Sequence, residues 1–482
     1  MFTLEECTVA DIQRAFETGE LTSEQLTRMY LERIARIDQS GPSLNSILEI
    51  NPDALHIAQA MDRQRRQGSV RSPLHGIPVI LKDNINTCDK MHTSAGSLAL
   101  ADNFAPYDAS IVTRLRDAGL VILGKANMTE LANFMSYTMK SGYSSRGGQV
   151  INPYKPGAEV WGSSTGSAVS VSANLCALSV GTETNGSIIA PAFINGCVGI
   201  KPTMGLISRH GILPICTAQD TAGPMARTVA DAAALLNILA GTDENDPASW
   251  YIDDKIPSDY TDFLRTDGLS GLRLGINWHG AEPDSSLMSF TDEHRALAQA
   301  AIQDMKKGGA IVVDPANLCT ELPDRDVMLY EFRQCLNAYL ASTSPAQPIR
   351  SLLDMIRFYS EHPKEGLKYG MSILLDAQLL ASRALADPAY IDARMKCIDL
   401  ARHGLDRVFS EYELDLLVTP MFSGLSPVSG YPSICVPAGY CSDGTPYGIT
   451  FIGRAYDEPR LIAAAYAYEQ ISQRRKKPVF AV

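Results

Sequence analysis

Two serine-bearing turns and one lysine are the residues whose types and spacing could carry covalent chemistry in this chain. The first turn reads Trp161-Gly162-Ser163-Ser164-Thr165-Gly166-Ser167. The second reads Gly181-Thr182-Glu183-Thr184-Asn185-Gly186-Ser187-Ile188-Ile189, and an alanine- and valine-rich segment lies between them. Each turn offers hydroxyls beside closely spaced backbone N–H groups, and glycine lets the backbone approach a ligand without a side-chain clash. Residues 188–193 can start a helix, which would set Ser187 at a helix N-terminus, a place that favours developing negative charge. Lys82 directly follows the apolar run Pro78-Val79-Ile80-Leu81. A lysine so placed either loses its charge to desolvation and accepts a proton, or reaches water or Asp83 just past the strand end. A competing signal is Gly162-Ser163-Ser164-Thr165-Gly166, which fits G-x-S-x-G with Ser164 as nucleophile. That turn calls for an acid and then a histidine downstream, and the last histidine, His403, falls inside a predicted helix. Ser164 and Ser167 can instead serve hydrogen bonds within the turn.

The elements that must position these residues read as strands alternating with helices. Residues 8–17 and 22–37 are predicted helices, the second opened by a Thr22/Gln25 capping box. A strand at 47–50 and a helix at 52–65 follow, then a loop at 68–76 and the run 78–81, continuous enough for a strand buried on both faces. Residues 108–118 read as a helix ended by Gly119, 120–123 as a strand and 141–156 as loop. Thr228 caps a helix that ends at Gly241, and 242–269 is polar and irregular. Residues 272–278, 291–307 and 310–313 give a β-α-β pattern, and 324–410 is mostly helical. Strands at 416–418, 433–436 and 448–452 precede a last helix at 459–474. The expected fold is α/β, a single large domain whose mixed, mostly buried central sheet is covered by helices on both faces. Within it we expect N-terminal helices at about 1–65, a catalytic core at about 70–240, a variable substrate-shaping region at about 243–410, and core strands with a helix at about 415–475.

A net charge of −12 argues against nucleic acid and anionic membrane as partners. The basic clusters Arg63 to Arg66 and Arg474 to Lys477 read as solvated faces. Ten cysteines without a C-x-x-C pair, and eight dispersed histidines without H-E-x-x-H, imply neither a metal nor another cofactor. The N-terminal residues lack a signal-peptide pattern, and no run of about 18 apolar residues occurs, so a cytoplasmic protein is expected, as a monomer or homodimer.

At this point the sequence resembles the amidase signature hydrolases. That family carries a lysine at a strand end, a G-S-S-x-G turn and a G-T-[DE]-x-x-G-S-I turn, matched here by residues 78–84, 162–166 and 181–188. Further matching pieces are Gly124-Lys125-Ala126-Asn127-Met128, Asn152-Pro153, Gly199-Ile200-Lys201-Pro202-Thr203 and Asp220 through Arg227. The match is firm over 1–240, weaker over about 430–475 and poor over 243–410. The family's catalytic serines stand 24 positions apart, which selects Ser163 and Ser187. The resemblance implies Ser187 as nucleophile, Ser163 as a bridge and neutral Lys82 as the base. It also implies a cis Gly162–Ser163 bond and an oxyanion hole from the N–H groups of Thr184, Asn185, Gly186 and Ser187. Asn185 stands where glycine is common, Glu183 where aspartate is usual and Ile189 where arginine is common, which removes a charge partner for Glu183. Glu183, Leu131-Ala132-Asn133-Phe134, Ser145-Arg146-Gly147-Gly148-Gln149 and Ala455 to Gln470 look like the bacterial peptide amidases, which release ammonia from peptide C-terminal carboxamides. The implied activity is amide hydrolysis on a peptide amide or a small aryl or alkyl amide. The alternatives are the amidase component of a tRNA-dependent amidotransferase, a G-x-S-x-G esterase, and a non-catalytic binding protein on this scaffold.

Overall fold

A computed structural model describes residues 2–281, 290–318, 321–380 and 384–480. An eleven-stranded mixed sheet runs through the molecule. Its strands are β1 (Ile47–Ile50), β2 (Pro78–Lys82), β3 (Val121–Ala126), β4 (Leu178–Glu183), β5 (Val198–Lys201), β6 (Thr221–Ala226), β7 (Arg273–Ile276), β8 (Ile311–Val313), β9 (Leu416–Thr419), β10 (Ser433–Tyr440) and β11 (Pro446–Ile452). Their spatial order is β1-β3-β2-β4-β6-β5-β10-β11-β9-β7-β8. β2 lies parallel to both β3 and β4, with Leu81 opposite Lys125 and Val180. β4 runs antiparallel to β6, setting Glu183 opposite Thr221. The expected β-α-β unit is present, with β8 parallel to β7 and β7 parallel to β9.

Helices form where caps and apolar spacing agree. Thr8 and Thr22 close capping boxes on α1 (Val9–Glu17) and α2 (Ser23–Arg33). α3 (Ala54–Arg66) and α4 (Ser110–Asp117) follow as expected, and Gly119 takes φ +82° just beyond α4. α5 (Thr165–Ser172) and α6 (Ile189–Asn195) pack on each other and on the middle strands. α7 (Val229–Leu239), capped by Thr228, packs with the last helix, Glu458–Ser472, which also contacts α8 (Asp292–Lys307). The expected helical region contains α9 (Asp324–Ala341), α10 (Leu352–Glu361), α11 (Ser372–Leu380), α12 (Pro388–Cys397) and α13 (Gly404–Glu411). Residues 381–383 of it lie outside the described residues. A second apolar core joins α9 to α13 with Met128, Leu131, Phe134 and Ile215.

Three central strands, β4, β5 and β6, carry too much glycine and proline to read as strands from sequence. Their small residues are needed where layers meet. A Cβ on Gly223 would lie 2.1 Å from the Ile200 carbonyl oxygen, and one on Gly181 would lie 2.9 Å from Ser164 Oγ. The loop at 141–156 includes a two-residue ribbon pairing Tyr143–Ser144 with Gly148–Gln149. The basic C-terminal cluster is a solvated face only at Lys476 and Lys477, which are exposed. The Arg475 side chain is 13% exposed, ion-paired with Glu6 at 2.8 Å and bonded to the Gly196 carbonyl, so it ties the chain's end to its start. Arg65 in the other cluster likewise lies over the Phe16 ring. No helix among the described residues is long and apolar enough to cross a membrane.

Candidate active site

Lys82 is the last residue of β2, an interior strand third from one edge of the sheet, and its side chain is fully buried. Its Nζ lies 2.7 Å from Ser163 Oγ, 2.8 Å from Thr182 Oγ1 and 3.1 Å from the Thr182 carbonyl oxygen. Burial pushes the amine's pKa well below the ordinary lysine value, and the charges of Glu183 and Asp220 oppose this only in part. Asp83 does not pair with it. The Asp83 carboxylate instead accepts the Ser94 hydroxyl and the N–H groups of Ser94 and Gly96, with Arg146 3.8 Å away.

Ser163 is fully buried at the head of α5. The bond before it is not cis: among the described residues the cis peptide bond is Asp314–Pro315. The chain turns toward Ser163 through two consecutive left-handed residues, Trp161 at φ 38° and Gly162 at φ 63°. A Cβ on Gly162 would come 2.5 Å from Pro191 Cδ and 3.3 Å from Ser187 Cα, so only glycine fits between the two turns. Ser164 is engaged elsewhere. Its Oγ donates to the Thr182 carbonyl at 2.9 Å and accepts the Thr182 N–H at 3.1 Å, while its own N–H donates to the Ser187 carbonyl at 3.1 Å. Ser167 Oγ donates to the Val180 carbonyl at 3.1 Å. Both hydroxyls therefore bond to β4, not within their own turn. His403 is exposed and lies 3.5 Å from Asp399 on its own helical stretch. We expect Ser164→Ala to leave the Thr182 N–H unpaired and to lower unfolding stability by about 1–3 kcal/mol in denaturant titration, with most amide turnover retained.

The second turn is held from several sides. Glu183, buried at the end of β4, accepts the N–H groups of Ile188 at 2.7 Å and Ile189 at 3.0 Å. Burial raises its pKa, and those N–H groups and the Lys201 charge counter the rise. Glu183 thus has partners without an arginine at position 189. Thr184 Oγ1 donates to Asp220 at 2.5 Å, and Gln219 Nε2 donates to the Thr184 carbonyl at 3.2 Å. Burial lifts the Asp220 pKa to about 6. Asn185 Nδ2 donates to Asp324 at 2.6 Å. The left-handed residue of this turn is Gly186, at φ +76°, and not Asn185. Position 185 therefore tolerates a side chain. Ser187 is 7% exposed and lines a cleft of about 770 Å³. Among the described residues no hydrogen bond joins the Ser163 and Ser187 hydroxyls, a contact that apo sites often tighten only when substrate is bound.

The cleft wall is mixed: Trp161, Phe422, Tyr137, Met328 and Leu322 share it with Lys140, Glu159, Asp324 and Arg325. Opposite the serine turns stand Leu131, Ala132 and Asn133, three consecutive non-glycine residues with φ 48°, 56° and 70°. Glu130 anchors them. It accepts the Ser145 N–H at 2.7 Å and the hydroxyls of Ser145 and Tyr359, and burial lifts its pKa to about 7. Gln219, Asp324 and Glu130 are not marked by the sequence, since no periodic or motif signal picks out a residue whose partner lies far along the chain; Thr182 and Asp220 fall inside the family-matched stretches, but nothing there assigns them a partner. No group of three or more metal-ligating side chains occurs among the described residues.

The family model described as Amidase matches residues 25–428. An Arabidopsis thaliana protein described as a probable amidase is 41% identical over 99% of this chain and 92% of its own length. A glutamyl-tRNA(Gln) amidotransferase component of Halorhodospira halophila is 32% identical over 98% of each. Among solved structures, the native peptide amidase of Stenotrophomonas maltophilia superposes with a TM-score of 0.93 at 45% identity, covering 100% of both chains. An amidase family protein of Bacillus anthracis gives 0.93 at 39% identity, over 99% of this chain and 93% of that one.

Proposed function

Since the chain belongs to the amidase family and is an amide-hydrolysing enzyme, we propose that it releases ammonia from the C-terminal carboxamides of peptides through Ser187, Ser163 and Lys82. The observation that carries this reading is the partner set of the buried amine. A neutral amine has two N–H bonds and one lone pair. The carbonyl and hydroxyl oxygens of Thr182 can take the two hydrogens, and Asn84 Nδ2 fixes that hydroxyl from behind at 3.1 Å. The lone pair is then left for the hydrogen of Ser163. Ser187 Oγ attacks the amide carbon as its proton passes to Ser163, whose own proton goes to Lys82. The N–H groups of Thr184, Asn185, Gly186 and Ser187 receive the oxyanion, a donor set in which each member is typically worth about 10²–10³ in rate. The relay then runs outward to protonate the leaving nitrogen, ammonia departs, and water hydrolyses the ester on Ser187 through the same three groups.

The similarity to a peptide amidase over both full lengths supports the peptide amide as substrate. So does a cleft of about 770 Å³ whose wall combines aromatic side chains, Trp161, Tyr137 and Phe422, with polar and charged ones that can bond to a peptide backbone. The test is ammonia release from an N-blocked peptide amide, set against glutamine, benzamide and a fatty amide. The expected result is release from the peptide amide, with internal peptide bonds intact. Release from glutamine alone would overturn it in favour of a role inside an amidotransferase assembly.

A further inference from the structure

We infer that Asp324, at the start of α9, is a positioning residue for the nucleophile's turn, and that α9 braces the catalytic geometry as well as walling the cleft. The inference rests on the assignment of Ser187 as nucleophile. Asp324 belongs to the stretch between 243 and 410, where motif resemblance is poor and where residues are expected to shape substrate binding only. Its carboxylate is 9% exposed and accepts Asn185 Nδ2 at 2.6 Å, two residues before Ser187. Gln219, 2% exposed, helps hold the pKa of the same carboxylate down and donates to the Thr184 carbonyl at 3.2 Å. One carboxylate thus reaches two consecutive residues whose N–H groups face the reaction. α9 grips the same region a second time, two turns further on. Glu331, 2% exposed, accepts the Thr217 N–H at 2.8 Å, the Thr217 hydroxyl at 2.8 Å and the Ala218 N–H at 3.2 Å. The loop it holds is the one whose Asp220 takes the Thr184 hydroxyl. Around Asn185 there is little slack. A Cβ on Gly424 would lie 3.4 Å from Asn185 Nδ2, so the 421–424 loop closes the other side.

A turn fixed by side chains from another element cannot drift without displacing its N–H groups, and displacements near 1 Å can cost about 10²-fold in rate. Asp324 also borders the cleft, but its carboxylate is engaged by Asn185, so its loss is expected to fall on turnover more than on substrate binding. The experiment compares Asp324→Ala, Asp324→Asn, Asn185→Ala and the double variant Asn185→Ala/Asp324→Ala on a peptide amide. Asp324→Ala is expected to lower kcat by about 10–100-fold with KM within about three-fold. Asp324→Asn keeps an oxygen for Asn185 and is expected to recover most of that loss. The double variant is expected to match the worse single variant, since both remove one clamp. A peptide aldehyde, which forms an oxyanion on the nucleophile, should lose affinity in parallel with kcat. Should Asp324→Ala fail to fold, Asn185→Ala, which leaves α9 untouched, carries the same comparison. Wild-type kcat in Asp324→Ala and Asn185→Ala, or loss confined to KM, would overturn the positioning role. A stoichiometric serine-directed phosphonate separates this outcome from failure of the underlying assignment: labelling of wild type at a residue other than Ser187 would refute the nucleophile itself.

Discussion

Ser187→Ala is expected to lower kcat on a peptide amide by about 10⁶, the scale on which serine hydrolases fall when the attacking hydroxyl is removed. The size follows from the chemistry. Ser187 is the one serine of the two turns that borders the cleft, and Ser163 and Ser164 are fully buried. Without it the amide carbon has water as its remaining nucleophile, and the relay no longer ends on an atom that bonds to substrate. The turn's own frame does not depend on the hydroxyl. Glu183 holds the N–H groups of Ile188 and Ile189, and Ser164 holds the Ser187 carbonyl. Substrate affinity should therefore persist, and calorimetric binding of the intact peptide amide checks it. Near-normal hydrolysis by Ser187→Ala, together with a dead Ser164→Ala, would transfer the chemistry to the G-x-S-x-G serine and to ester substrates.

Lys82→Met should lose about 10²–10⁴ in kcat, the range for a general base, while keeping the fold. Methionine matches the aliphatic stem and removes the amine; Lys82→Ala would add the cost of a cavity, about 2–5 kcal/mol for comparable buried truncations. The same lysine sets the pH dependence. Its pKa is shifted down by burial, so it gives up its proton at lower pH than an ordinary lysine and regains it as pH falls through the lowered value. The rate should thus be flat toward alkali and fall on the acid side. Asp220, with its pKa at about 6, titrates on that side too. The assignment to Lys82 therefore requires the acid limb to persist in Asp220→Asn and to vanish from the residual rate of Lys82→Met. A rate that peaks below pH ~5 would contradict a neutral amine as base.

Local rules carry much of the fold. Thr8, Thr22 and Thr228 cap the helices their positions predict, and the apolar run 78–81 is a strand buried on both faces. The β-α-β unit of β7, α8 and β8 is readable from alternating apolar runs. Local rules fail where a tertiary approach sets the residue type. Gly181, Gly223 and Pro224 sit in central strands because neighbouring layers leave no room or have no need of a donor, and nothing nearby in sequence says so. The three residues with the expected chemistry are picked out by the family resemblance, and two of them, Lys82 and Ser163, are in direct contact. The cis bond is expected on the same ground and is absent, because Trp161 and Gly162 make the turn with φ alone. The pairing of the supports is not legible. Thr184 and Asp220 stand 36 positions apart, and Asn185 and Asp324 stand 139 apart. The solvated reading of Arg475 fails for the same reason, since its carboxylate partner lies at the opposite end of the chain.

The base of this relay ends an interior strand of an eleven-stranded sheet, while most of the cleft wall comes from loops and helices outside it. The bond-breaking apparatus is thus mounted on the buried sheet, and much of the selectivity on segments packed around it. An engineer could change cleft-facing residues on α9 and just before it, such as Met328 and Leu322, to admit new acyl groups without rebuilding the proton path. The change would have two fixed requirements: the acids at positions 324 and 331, which hold Asn185 and the 217–218 loop.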